Sequence, residues 1–106
     1  MIRVIYRWTV DPATEDRFVD AWREATERIR AHEAGALGST LLRPSDTPNT
    51  LVGFARWQRY DDVEAFWASG NATPLPGATL ESIEILDEVE HMTLEHVANP
   101  RTAGAP

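Results

Sequence analysis

The chain contains no cysteine and no lysine. Without cysteine there is no disulfide, no thiolate nucleophile, no iron–sulfur cluster and no cysteine-ligated zinc. Without lysine there is no Schiff-base chemistry and no Walker lysine to grip a nucleotide phosphate. Long hydrophobic runs are missing too, since none approaches the roughly 20 residues that a membrane span needs. The N-terminal stretch Met1-Ile2-Arg3-Val4-Ile5 has neither the apolar core nor the small-residue cleavage site of a signal peptide, so the expected location is the cytoplasm. Positive charge is scarce: ten arginines face seventeen acidic residues, for a net charge of −7. A chain this acidic, with no run of basic residues, repels phosphate backbones and anionic lipid, so neither nucleic acid nor membrane is an expected partner.

What remains is globular in composition, 42% hydrophobic and 25% charged, and 106 residues hold one core rather than two. Residues 2–10 alternate and are rich in β-branched and aromatic types, which predicts a first strand with Ile2, Val4, Tyr6, Trp8 and Val10 on one face. Asp11-Pro12 ends it, because proline donates no ladder hydrogen bond. Phe18, Ala21, Trp22, Ala25 and Ile29 recur at steps of three and four, predicting a helix over about 14–32 stopped by Gly35. Strands are expected over about 36–44 and 50–57, joined by the turn cluster Ser45-Asp46-Thr47-Pro48-Asn49. A second helix is expected from Asp61-Asp62 to Gly70, then a loop over 70–80, then a fourth strand over 83–97. One domain over residues 1–98 and a flexible tail over 99–106 complete the expected organisation.

The order β-α-β-β-α-β is the ferredoxin-like α+β arrangement: one antiparallel sheet with both helices on one face. Strand three is apolar on both sides, with Val52 and Phe54 on one and Leu51, Ala55 and Trp57 on the other. Solvent on the second face would leave a large apolar patch, so a homodimer packed through either of these faces is expected.

Tyr6-Arg7-Trp8-Thr9-Val10 leads into Phe18-x-x-Ala21-Trp22, followed by Gly35-x-Leu37-Gly38-Ser39-x-Leu41-x-Arg43, Val52-x-Phe54-Ala55-Arg56-Trp57 and Ala65-Phe66-Trp67-x-Ser69. This pattern of spaced aromatics and glycines, over roughly residues 1–97, resembles the antibiotic biosynthesis monooxygenase family of dimeric α+β barrels. The resemblance implies the fold and leaves the reaction open, because the scaffold hosts many chemistries. One branch of that family oxidises polyketide anthrones to quinones with dioxygen and no cofactor. Another degrades haem with an Asn on strand one, a Trp on helix two and a His after it. Here the strand-one position is Tyr6, the helix-two position falls at Phe66 or Trp67, and no His follows helix two until His91. Haem degradation is therefore disfavoured.

Tyr6 and His91 are the candidate catalytic residues. Tyr6 replaces the strand-one polar residue of the haem-degrading branch and needs a partner for its phenol if buried. His91 shares a face with Asp87, Val89 and Thr93 in the expected fourth strand, from which it would approach Tyr6 or Arg7 if strands one and four pair; a polar residue on an exposed edge is the competing reading. Trp57, Phe66 and Trp67 are candidate aromatic walls, against core packing for each. Arg7 and Arg56, charged positions within strands, are candidate anion or enolate clamps, against structural ion pairs with Glu88, Glu90 or carboxylates across a dimer interface. Asn71 is a candidate at the mouth of a pocket, against a simple turn residue. No metal site is expected, since His91 and His96, five apart in a strand, fall on opposite faces; His32 reads as a cation at a helix C-terminus. No nucleotide or flavin motif follows strand one, so no cofactor is expected.

Two functions fit. The first is a cofactor-free monooxygenase acting on a small, hydrophobic, planar aromatic substrate whose own anion donates the electron to dioxygen. The second is a non-catalytic dimer of the same fold, small-ligand-binding or stress-related. A cleft of several hundred Å³ near Tyr6 and Trp67 would favour the first, and a filled core the second.

Overall fold

The computed structural model describes residues 1–92. The elements run β1 (Ile2–Val10), a 3-10 turn (Pro12–Thr14), α1 (Glu15–His32), β2 (Ala36–Leu42), β3 (Thr50–Trp57), α2 (Tyr60–Ala68) and β4 (Ala78–Asp87). The four strands form one antiparallel sheet in the order β2-β3-β1-β4, the ferredoxin-like topology expected from the element order. The two central strands, β1 and β3, carry most of the buried apolar side chains, as sheet centres do.

Local chemistry explains the boundaries. Asp11 closes β1 and its carboxylate accepts a hydrogen bond from the Ala13 amide at 3.0 Å, with Pro12 opening the 3-10 turn. That turn displaces the start of α1 to Glu15, where Glu15 and Asp16 sit at the positive end of the helix. Arg30 and His32 occupy its last turn, as the dipole favours. Gly35 then takes φ +83 to turn the chain into β2. At this position glycine is required twice over, because a Cβ would also overlap the carboxylate of Asp62 on α2.

The helix-facing side of β1 holds Ile2, Val4, Tyr6, Trp8 and Val10, and that of β3 holds Leu51, Gly53, Ala55 and Trp57. Burial follows two groups. Ile2, Val4 and Trp57 pack with Val63 and Phe66 of α2, and Trp8, Val10 and Leu51 pack with Phe18 of α1. Tyr6 lies between the groups and touches both. The core is therefore two pads on one sheet, with a gap over the middle of β1.

The fourth strand departs from expectation. It begins at Ala78 and ends at Asp87 rather than running over 83–97, of which 93–97 lie outside the described residues. The expected tail over 99–106 also lies outside them. The reason is a β-bulge: Arg7 pairs with Ser82 but Trp8 pairs with Leu80, leaving Glu81 as the extra residue. The bulge breaks the alternation, so Leu80 and Ile83 fall on the same face and no period-two pattern crosses the strand. β2 also stops earlier than expected, at Leu42.

Leu51 and Trp57 are each 4% exposed beneath the helices, so the part of that face around them is not available to a second copy. The open face carries Ile5, Val52, Phe54, Leu42 and Leu86, with Leu42 46% and Leu86 38% exposed. Among the described residues no helix is long and apolar enough to cross a membrane.

Candidate functional site

The gap between the two pads is a cavity of about 360 Å³, floored by β1 and β3 and walled by α1, α2 and the loop before β4. Its position follows from the packing. α1 lies against β2, and α2 lies against the end of β3, so neither helix covers the middle of β1. All four tryptophans reach it: Trp8 from β1, Trp22 from α1, Trp57 from β3 and Trp67 from α2. Four indoles are hard to bury fully in so small a domain, and here their faces are spent on a cavity.

Tyr6 is the centre of this arrangement. Its ring stacks on Trp8 at 5.5 Å between centroids and 11° between planes, and lies 6.2 Å from Trp67. Phe66 and Trp67 divide the labour expected of adjacent helical positions, about 100° apart. Phe66 points into the pad against Trp57 at 5.5 Å, whereas Trp67 remains 38% exposed at the cavity. Gly53 opposite Tyr6 makes room for the stack, since a Cβ there would stand 2.9 Å from the Trp8 ring.

Burial pushes the Tyr6 phenol up to about 12, so it is a neutral hydroxyl at any physiological pH and a donor rather than a base. That hydroxyl makes no hydrogen bond to protein among the described residues, which leaves it available to a ligand.

Tyr6, Trp57, Phe66, Trp67 and Asn71, all marked out in the sequence, line this one cavity. Asn71 stands at its mouth, its side-chain amide donating to Glu33 at 3.3 Å and its backbone N–H to the Ser69 hydroxyl at 3.1 Å. Arg7 does not join them. It is exposed on the opposite face of β1, where strand alternation puts every odd position. His91 does not join them either, because β4 ends at Asp87, opposite Ile2. Tyr6 and Arg7 are paired instead with Ile83 and Ser82. His91 stands near Glu88, whose carboxyl is held below its usual range chiefly by the hydrogen bond from Arg3 at 2.9 Å, with the charges of Arg3, His91 and Arg56 adding to it.

The residues not anticipated at the cavity are Trp8 and Trp22, which read as core, and Arg28 and Arg30; Arg56, expected as an ion-pair partner or an anion clamp, borders it from β3 with its guanidinium 3.8 Å from the Met1 sulfur. The indoles sit on apolar stripes indistinguishable by spacing from core positions. Arg28 and Arg30 fall among the charged surface positions of α1, where spacing marks no ligand. No carboxylate and no imidazole lines the cavity among the described residues; Tyr6 and the arginines are its ionisable groups.

The model of the antibiotic biosynthesis monooxygenase family matches residues 1–73, more than two thirds of the chain and every element through α2. The chain belongs to the antibiotic biosynthesis monooxygenase family. Solved structures share the family fold. SnoaB, a cofactor-independent oxygenase from Streptomyces nogalater, superposes with a TM-score of 0.66 at 23% identity, over 86% of this chain and 95% of that one. MhuD, a haem degrader from Mycobacterium tuberculosis with two haems in its active site, gives 0.67 at 17% identity, over 88% and 100%. A putative antibiotic biosynthesis monooxygenase from Caulobacter crescentus gives 0.63 at 24%, over 84% and 90%. No curated protein sequence is significantly similar to the chain. At these identities the neighbours establish the fold, and within the antibiotic biosynthesis monooxygenase family the choice of chemistry rests on the cavity itself.

Proposed function

We propose that the protein is a cofactor-independent monooxygenase that binds a planar aromatic substrate in the Tyr6 cavity and oxidises it at an acidic benzylic carbon with dioxygen. The overall change is that one CH2 and one O2 become one C=O and one H2O. The observation that carries the reading is the cavity's composition: stacked aromatic walls around a neutral phenol, with arginines and no carboxylate or imidazole among the described lining residues. Such a site favours an anion and offers it a hydrogen-bond donor. Its electrostatics lower the free energy of the substrate carbanion, which is the species that reduces dioxygen, so the protein need not supply an electron. The walls orient the ring and exclude water. The volume, about 360 Å³, lies in the range of small-molecule sites.

In this reading Tyr6 donates its hydroxyl hydrogen bond to the enolate oxygen, and Trp8, Trp57, Phe66 and Trp67 flank the rings. His91 and Arg7 take no part, being outside the cavity. Haem degradation remains disfavoured, because the position of the strand-one Asn is Tyr6 and no His follows α2 before His91. The active form is a homodimer closed through the open sheet face of Ile5, Val52, Phe54, Leu42 and Leu86. The open cavity argues against a core filled by side chains, and turnover separates the enzyme from a small-ligand-binding protein of the same fold.

The test is oxidation of an anthrone, followed by quinone absorbance in air with no added flavin, metal or haem. Turnover above the spontaneous rate, abolished under nitrogen, is expected. Saturable anthrone binding with no rate enhancement would instead identify a binding protein.

A further inference from the structure

The fourth strand carries an apolar stripe that neither helix covers. Ile85 pairs with Val4, Ile83 with Tyr6 and Leu80 with Trp8, so all three face the helix side of the sheet, beside the cavity. α1 lies on β2 and α2 on the end of β3, and neither apolar pad draws on any of the three. Leu80 is 44% exposed, and Ile83 and Ile85 are 41% each. The bulge makes the stripe: with Glu81 as the extra residue, Leu80 and Ile83 share a face that strict alternation would deny them. The Glu81 carboxylate accepts a hydrogen bond from the Thr9 hydroxyl at 2.9 Å, on the other face, so no charge interrupts the row until Asp87, opposite Ile2. The stripe is continuous with the cavity. Leu80 lines both, and Ile83, the cross-strand neighbour of Tyr6, stands two residues, about 7 Å, from Ile85 along the strand. It is also one side chain wide. Three aliphatic side chains, each about two-fifths exposed, offer only a few hundred Å², against roughly 800 Å² per partner in a stable protein interface. A narrow apolar track leading out of a cavity fits a slender part of the cavity's own ligand.

We propose that the substrate is an alkylated aromatic: its rings lie against Tyr6 and Trp67, and an unbranched apolar arm runs out of the cavity from Leu80 along Ile83 to Ile85. This rests on the Tyr6 cavity being the ligand site and adds the chemical class of the ligand. The arm takes no part in the oxidation. It contributes binding energy away from the reacting carbon, which holds the ring in place against Tyr6.

The experiment compares 2-ethylanthraquinone with 2-pentylanthraquinone, two neutral quinones of the product class, read by quenching of the cavity tryptophans. The pentyl compound is expected to bind about five- to tenfold more tightly, as three further methylenes half-buried on an open track would give. Ile83→Ser and Ile85→Ser together should bring that ratio towards one and leave the ethyl affinity little changed. Ile85→Ser alone, farther from the cavity, should remove part of the gain. Leu86→Ser, a matched change on the open face of the same strand, should keep the ratio, which separates the stripe from a general loss of fold. Equal binding of the two quinones by the wild type overturns the arm and leaves the cavity reading standing. Binding of neither overturns both. A chain-length preference that survives in the Ile83→Ser, Ile85→Ser double variant also overturns the arm, since the chain then lies elsewhere. So does dissociation of a dimer by the double variant with no wild-type preference for the longer chain, which would assign the stripe to a second copy.

Discussion

In the proposed reaction Tyr6 is the residue on which the chemistry turns, and its environment makes that role testable. With the phenol pushed up to about 12, no inflection from Tyr6 ionisation should appear in a rate profile below about pH 11. Tyr6→Phe removes the hydroxyl and leaves the stack on Trp8 intact. The expected loss is about 2–4 kcal/mol in the barrier, roughly 10² to 10³ in rate, with little change in the urea midpoint. An unchanged anthrone-oxidation rate would remove Tyr6 from the mechanism. His91→Ala, by contrast, should leave the rate unchanged, because β4 ends four residues before it and the cavity does not include it. The raised phenol also has a consequence for stability. The folded protein holds that proton after the unfolded chain has lost it, so between pH 10 and about 12 stability falls as pH rises, by at most about 1.4 kcal/mol per pH unit.

Among the elements, the joint between the α1–β2 turn and α2 is the most constrained. Gly35 combines φ +83 with a Cβ position that the Asp62 carboxylate already occupies. Gly35→Ala should therefore cost about 2 kcal/mol or more, from the left-handed conformation together with the displaced carboxylate, and a urea melt measures it. Adding Asp62→Ala should recover only part, since the backbone conformation remains; full recovery would mean that the clash alone mattered. The edge of β4 supplies a second case. Glu88, just past its end, is held ionised by Arg3, so the folded carboxyl titrates below its unfolded value of 4.5. Its contribution is present above pH 4.5 and is lost as pH falls through the folded value. Arg3→Gln should weaken that acid-side sensitivity in urea melts between pH 3 and 6, with the charges of His91 and Arg56 keeping the remainder.

For the molecule as a whole, the exposed apolar side chains decide the expectation. Leu42 and Leu86 on the open face join Ile5, Val52 and Phe54, while Arg3 stacks over the Phe54 ring at 5.3 Å. A face of this kind is costly to leave in water. Sedimentation at micromolar concentration should give a dimer of the 11.9 kDa chain, and a clean monomer would overturn the homodimer. Leu42→Glu, on the open face and away from the cavity, should shift the sedimenting species towards monomer without altering the Tyr6–Trp8 stack.

Local pattern was enough for β1, α1, β3 and α2. A period of two or of 3.6 is a property of consecutive residues, and the stop signals Asp11-Pro12 and Gly35 lie beside the elements they end. The antiparallel ferredoxin-like sheet follows from the element order. The aromatic half of the site was readable for the same reason: Tyr6, Trp57, Phe66 and Trp67 lie on the apolar faces of elements that had to meet. Strand four was not readable, because the bulge at Glu81 exists only through its pairing with β1, and a shift of one residue there erases the alternation. The exclusion of Arg7 and His91 likewise depends on register, which decides what faces what across strands many residues apart. The cavity is a fact of the same kind: α1 lies on β2 and α2 on the end of β3, so the middle of β1 stays uncovered, and no local sequence window contains that packing.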